Sequence, residues 1–274
     1  MNKQPVNLPP LTELTVKISS IAKDAASQIL EIYESDFAIK HKDDKSPLTA
    51  ADMASHNTIC NKLKSLTPGI PVLSEESASL AFEIRRKWQY YWLVDPLDGT
   101  REFIKRNGEF TVNIALIEEH LPVLGIVHVP VTGITYFASK ENGAYKQLNN
   151  GQPQRIQTRS TNPEHITVAG SRSHGSERQQ AFFEKLGNIE IFAIGSSLKF
   201  CMVAEGIVDI YPRFGPTSEW DTAAAQCIVE EAGGTVTDET LYRLRYNTKE
   251  SLLNPNFLVI GDKSFDWEPY LIDI

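Results

Sequence analysis

The chain has 274 residues, 41% of them hydrophobic and 23% charged, with a formal net charge of −8. That length buries a sizeable core, as one large domain or two intimately packed halves, and no apolar run approaches the roughly 18–20 residues that span a bilayer. The acidic balance argues against a nucleic-acid partner, because such binding rests on cations meeting phosphates; a phosphorylated small molecule stays open if metal ions stand between it and the carboxylates.

Met1 to Pro10 is polar and proline-rich with no basic leader before an apolar core, so no signal peptide is expected and a cytoplasmic location follows. Leu14, Ile18, Ile21, Ala22, Ala25, Ile29 and Ile32 recur at three- and four-residue intervals, which predicts an amphipathic helix over 11–33. The charged stretch His41 to Pro47 reads as a loop, and a second helix is expected from about Thr49 to Leu66, ended by Pro68-Gly69. Ile70–Leu73 and the aromatic Tyr90–Val94 read as strands. The run Glu83–Lys87 reads as a solvated helix face. Phe110–Ile117, Val123–Val129 and Ile134–Ala138 continue as an antiparallel meander.

Around Gln147 to Pro163 the chain turns polar, and the boundary between halves is placed there, as 1–155 and 156–274 of one compact unit. Beyond it strands (166–169, 190–193, 208–211, 257–260) alternate with helices (179–186, 198–204, 222–232), the pattern of an α/β layer. The three cysteines, Cys60, Cys201 and Cys227, are widely spaced and read as buried thiols rather than a disulfide or zinc framework.

Chemistry concentrates at Asp95-Pro96-Leu97-Asp98-Gly99-Thr100, where a hydrophobic strand ends. Asp95, Asp98 and the Leu97 carbonyl can converge on an oxygen-seeking cation such as magnesium. Gly99 lets the backbone approach a phosphate, with its own N–H and that of Thr100 as donors. Glu75 and Glu76 also follow a short apolar strand, and Asp221 follows Trp220 at a helix start, where capping is the competing reading.

Ser74-Glu75-Glu76-Ser77, Trp92 to Thr100, and Glu219-Trp220-Asp221-Thr222-Ala223-Ala224 with Glu231-Ala232-Gly233-Gly234 together resemble the inositol monophosphatase superfamily over nearly the whole chain. The resemblance implies an αβαβα sandwich of the sugar-phosphatase type and two or three Mg2+ ions held by Glu75, Asp95, Leu97, Asp98 and Asp221. It implies that Thr100 and Asp52, in Pro47-Leu48-Thr49-Ala50-Ala51-Asp52, orient and deprotonate the attacking water, with Glu75 also catalytic and Glu76 behind it. Lithium sensitivity is implied as well.

In the second half, Gly195 to Cys201, Tyr211 to Thr217 and Ser171-Arg172-Ser173-His174 resemble the branch of that superfamily that hydrolyses 3′-phosphoadenosine 5′-phosphate, a nucleotide of sulfur assimilation. This implies Lys199 and Arg213 on the non-scissile 5′-phosphate, Ser196 as a donor and His174 near the ribose or base. Glu75, Leu97, Asp98, Gly99, Thr100 and Asp221 then complete the substrate site. Arginine donates in a fork suited to phosphate where a glutamate would accept from sugar hydroxyls. The expectation is release of the 3′-phosphate of adenosine 3′,5′-bisphosphate by a metal-activated water. Its rivals are a phosphatase of inositol phosphates or fructose 1,6-bisphosphate and, in another class, a non-catalytic metal-dependent nucleotide binder. Monomer and dimer both stay open, as does peripheral placement on the cytoplasmic face of the inner membrane.

Overall fold

The computed structural model describes residues 8–35, 47–170 and 176–272. Residues 41–46 of the loop expected at His41–Pro47, and the Ser171–His174 string, His174 included, lie outside the described residues. α1 (Leu11–Tyr33) buries Leu14, Ile18, Ile21, Ala22, Ala25 and Ile29, the stripe that its spacing predicts; each fully buried Leu or Ile is worth about 1.5–3 kcal/mol. α2 (Pro47–Leu66) packs beside it. It begins ahead of the expected Thr49, with Pro47 at the first helical position, where a missing N–H costs nothing.

Both helices lie on a seven-stranded sheet of β1 (Val72–Ser74), then, after the short α3 (Phe82–Arg85), β2 (Tyr90–Asp98). After α4 (Thr100–Ile104) come β3 (Thr111–Glu118), β4 (Leu121–Val129), β5 (Ile134–Ser139), β6 (Ala144–Leu148) and β7 (Gln154–Ile156). The strands lie in sequence order, with β1 parallel to β2 and every later pair antiparallel. A second sheet takes β8 (Ile166–Gly170), α5 (Glu177–Leu186), β9 (Ile189–Ala193), α6 (Leu198–Ala204), β10 (Ile210–Arg213), α7 (Glu219–Glu231), β11 (Thr235–Asp238) and β12 (Phe257–Ile260). Its strand order is β11-β12-β10-β8-β9.

Three apolar clusters show the layering. One joins α1 and α2 to the outer face of the first sheet. The largest lies between the two sheets, around the buried alanines and Ile228 of α7 and Phe200 of α6. The third sets Phe182 and Leu186 of α5 against Ile166, Ile210 and Leu258. The order helix, sheet, helix, sheet, helix is the expected αβαβα sandwich. Among the described residues no helix is long and apolar enough to cross a membrane.

Some local expectations are corrected. β6, β7 and β11 were not anticipated from the sequence; their short, polar-rich stretches carry little alternation. α7 starts at Glu219 rather than Thr222, because Ser218 and Asp221 form a capping box. β10 is shifted to end at Arg213, with Pro212 held opposite Leu258. Arg85, expected on a solvated helix face, is only 2% exposed. Its guanidinium donates to Asn247 Oδ1, to the Lys249 carbonyl (3.0 Å) and to the Glu250 carbonyl, contacts that a local charge pattern cannot reveal.

Candidate active site

The metal-binding expectation on β2 has a specific backbone basis. Successive strand residues point to opposite faces, so Asp95 and Asp98, three apart, would ordinarily diverge. The pairing of β2 with β3 slips between them: Asp95 faces Asn113 and Asp98 faces Thr111, leaving one extra residue on β2. This bulge turns both carboxylates to the same side. Pro96 suits it, having no N–H to donate to the ladder. Inside the bulge the Leu97 N–H donates to Asp95 Oδ1 at 3.0 Å. Gly99 follows at φ 95°, where a Cβ would press to 3.2 Å on the Glu109 carbonyl oxygen and on Ser196 Cβ, so a side chain is disfavoured twice over.

From the opposite side of the site, α7 brings Asp221. Ligand oxygens of Asp95, Asp98 and Asp221 all lie within 4.8 Å of one another. The two readings of Asp221 coexist: its Oδ2 accepts the Ser218 N–H at 2.8 Å as a cap, while its carboxylate also joins the cluster. Burial, then the charges of Asp98, Asp221, Glu75 and Asp52, holds the Asp95 carboxyl well above the usual carboxylate range. Asp221 is pushed up to about 7, by burial first and Asp98 next. Among the described residues no lysine or arginine forms an ion pair with any of the three. Gathered carboxylates without a cation fit a hard, oxygen-seeking metal ion.

Glu75 and Glu76 sit in a short 3-10 turn after β1. Much of Glu75 faces solvent. Burial of its carboxyl end raises its pKa, opposed by the neighbouring Asp95 and helped by Glu76 and Asp98. On α2, Asp52 is buried, and its Oδ1 has no hydrogen-bond partner. Burial, followed by Glu76 and Glu75, pushes its pKa up to about 8. That orphaned oxygen is a second sign that the site is built for an added group. Thr100 opens α4.

A cavity of about 620 Å³ opens over this cluster. It brings Asp98, Gly99, Thr100 and Asp221 together with Ser196, Lys199 and Arg213; Glu75, Leu97 and Asp52 do not line it. Ser196 holds φ 45°, and its Oγ is buried with no partner. Lys199 Nζ donates to the carbonyls of Ser196 (2.8 Å) and Ile194 (3.2 Å) and lies over the Tyr211 ring. Burial lowers its pKa to about 8, against the pull of Asp98. Arg213 donates to the Pro216 carbonyl at 3.2 Å, and its Nε is buried with no partner. Sequence reasoning passed over Ser197, which donates to Asp98, and Glu109, whose Oε2 accepts the Gly195 N–H at 2.8 Å. Ser197 adjoins a residue that was singled out, but only the packing of its turn against β2 and β3 shows its role.

The model of the inositol monophosphatase family matches residues 11–261. The 3′(2′),5′-bisphosphate nucleotidase CysQ of Salmonella typhimurium is 49% identical over 89% of this chain and 98% of its own length. The protein of the same name from Escherichia coli is 46% identical over the same shares. Among solved structures, CysQ from Bacteroides thetaiotaomicron, described as a bacterial member of the inositol monophosphatase family, superposes with a TM-score of 0.82 at 42% identity. That match covers 93% of this chain and 99% of the other.

Proposed function

This chain belongs to the inositol monophosphatase family, and we propose that it is a magnesium-dependent 3′(2′),5′-bisphosphate nucleotidase that converts adenosine 3′,5′-bisphosphate to AMP and phosphate. The observation that carries the metal half of this reading is the uncompensated cluster of Asp95, Asp98 and Asp221 under the cavity. With Glu75 and the Leu97 carbonyl, these residues would hold two or three ions. When bound, magnesium supplies positive charge against the phosphate oxygens and makes water a stronger acid.

The chain's own groups do the rest. The amides of Gly99 and Thr100 donate to the scissile phosphate, and the Thr100 hydroxyl orients the attacking water. Asp52 Oδ1, buried and unpartnered, accepts the proton as phosphorus is attacked, and the ribose 3′-oxygen leaves with a proton from solvent. Lys199, Arg213 and the free Ser196 Oγ hold the 5′-phosphate across the cavity. Two relatives named as nucleotidases at 46–49% identity favour this substrate over an inositol phosphate. The three free, buried cysteines suit a reducing cytoplasm.

The test is phosphate release from adenosine 3′,5′-bisphosphate and from inositol 1-phosphate, each with magnesium and with EDTA. The nucleotide is expected to be hydrolysed far faster, and only with the metal. Comparable rates on both esters would sink the substrate assignment; undiminished rates in EDTA would sink the metal.

A further inference from the structure

The part of β3 opposite the bulge carries two buried polar residues, Thr111 and Asn113, both essentially inaccessible to solvent. They form a chain that ends on Asp98. Thr111 Oγ1 donates to Asn113 Oδ1 at 2.9 Å, and Asn113 Nδ2 donates to Ser197 Oγ at 2.9 Å. Ser197 then gives Asp98 Oδ2 two bonds, from its backbone N–H at 2.7 Å and from its hydroxyl at 2.8 Å. The Asp221 carbonyl competes for that hydroxyl proton at 2.9 Å, but a carboxylate is the stronger acceptor.

Each link has a directional consequence. Thr111 fixes which end of the Asn113 amide faces Ser197. The Asn113 N–H occupies a lone pair of the Ser197 oxygen and so leaves the Ser197 proton for Asp98. Two short bonds on Oδ2, with a longer approach from Thr111 at 3.4 Å, engage that oxygen. Oδ1 is left with no hydrogen-bond partner among the described residues. The lone residue of the second half in this chain, Ser197, lies in the turn whose neighbours Ser196 and Lys199 line the cavity.

Resting on the metal-dependent reading above, we propose that Ser197, backed by Asn113 and Thr111, is a positioning residue that fixes which oxygen of Asp98 meets the cation and locks the substrate-side turn onto the metal centre. Hydrogen bonds of this kind around a ligating carboxylate set metal affinity, and losing one costs about 10- to 100-fold.

The experiment titrates Mn2+ into the purified full chain by calorimetry, for the wild type, Ser197→Ala, Thr111→Val and Thr111→Ser, with the metal-free thermal midpoint recorded for each. Ser197→Ala should raise the Mn2+ dissociation constant about tenfold. Thr111→Val, nearly the same shape, should raise it severalfold, and Thr111→Ser, which keeps the hydroxyl, should restore it. Wild-type Mn2+ affinity in both Ser197→Ala and Thr111→Val would overturn the proposal, whatever the midpoints do. If the wild type itself takes up no Mn2+, the phosphatase reading falls and this inference with it; if only the variants match the wild type, this inference alone falls.

Discussion

Arg85, Asn247 and Glu219 form one buried polar cluster, and Asp95, Asp98 and Asp221 form another; Glu219 and Asp221 are two residues apart on α7. In the first, opposite charges are bridged. Both Glu219 oxygens accept the Asn247 N–H, at 2.9 and 2.8 Å, while the Asn247 side chain exchanges hydrogen bonds with Arg85. Only Arg85 Nε lacks a partner. In the second cluster, carboxylates face one another, and among the described residues no lysine or arginine forms an ion pair with them. Buried charge that is answered by its surroundings is structure; buried charge left unanswered marks a place for a ligand. His128 shows a third solution, since burial, with Lys23 nearby, lowers its pKa to about 4 and keeps the ring neutral.

The largest test of this contrast replaces a carboxylate by its amide. Asp98→Asn should lower kcat by roughly a thousandfold, the several kcal/mol of charge stabilisation a metal provides. In metal-free buffer the same variant should unfold no lower than the wild type, because a repulsive charge has gone. A fully active variant, or one that melts well below wild type without metal, would break the contrast. Arg85→Met should do the opposite. Leaving Asn247 Oδ1 and the Lys249 and Glu250 carbonyls without their donor should cost about 3–5 kcal/mol, lowering the thermal midpoint by about 10 °C for a chain of this size, and calorimetric melting checks it.

The location of the acidic cluster was legible in the sequence because two of its three carboxylates, Asp95 and Asp98, belong to one local string. That Asp95 and Asp98 share a face depends on a bulge, which only the pairing with β3 reveals. Arg85 could not be placed, since its partners lie at 247–250 and nothing near it differs from a solvated charge run. Ser197, Thr111 and Asn113 were invisible for the same reason: two polar residues in a strand gain meaning only when α6 and its preceding turn arrive beside them. The αβαβα layering was expected, whereas β6, β7 and β11 were not.

His128 supplies a smaller, pH-dependent effect. A histidine whose folded pKa lies below its ordinary 6.5 adds stability that is fully present above pH 6.5 and is lost as pH falls towards about 4. The loss amounts to about 3 kcal/mol. His128→Gln can keep a bond to Thr135, which holds His128 Nδ1 at 2.9 Å, and should flatten that acid limb in denaturant melts. An unchanged limb would place the acid sensitivity elsewhere. Smallest is the substrate-side effect: Arg213→Glu should cost about tenfold or more in kcat/KM for adenosine 3′,5′-bisphosphate, with a simple monoester far less affected. Equal losses on both would make Arg213 structural.

The most direct measurement follows adenosine 3′,5′-bisphosphate by phosphorus NMR in the presence of the enzyme and magnesium. The 3′-phosphate resonance should disappear as inorganic phosphate and AMP grow in together, with the 5′-phosphate intact and no change in the metal-free sample. Loss of the 5′-phosphate instead, or a nucleotide left whole at saturating magnesium, would contradict a metal centre at Asp95, Asp98 and Asp221 aimed at the 3′-ester.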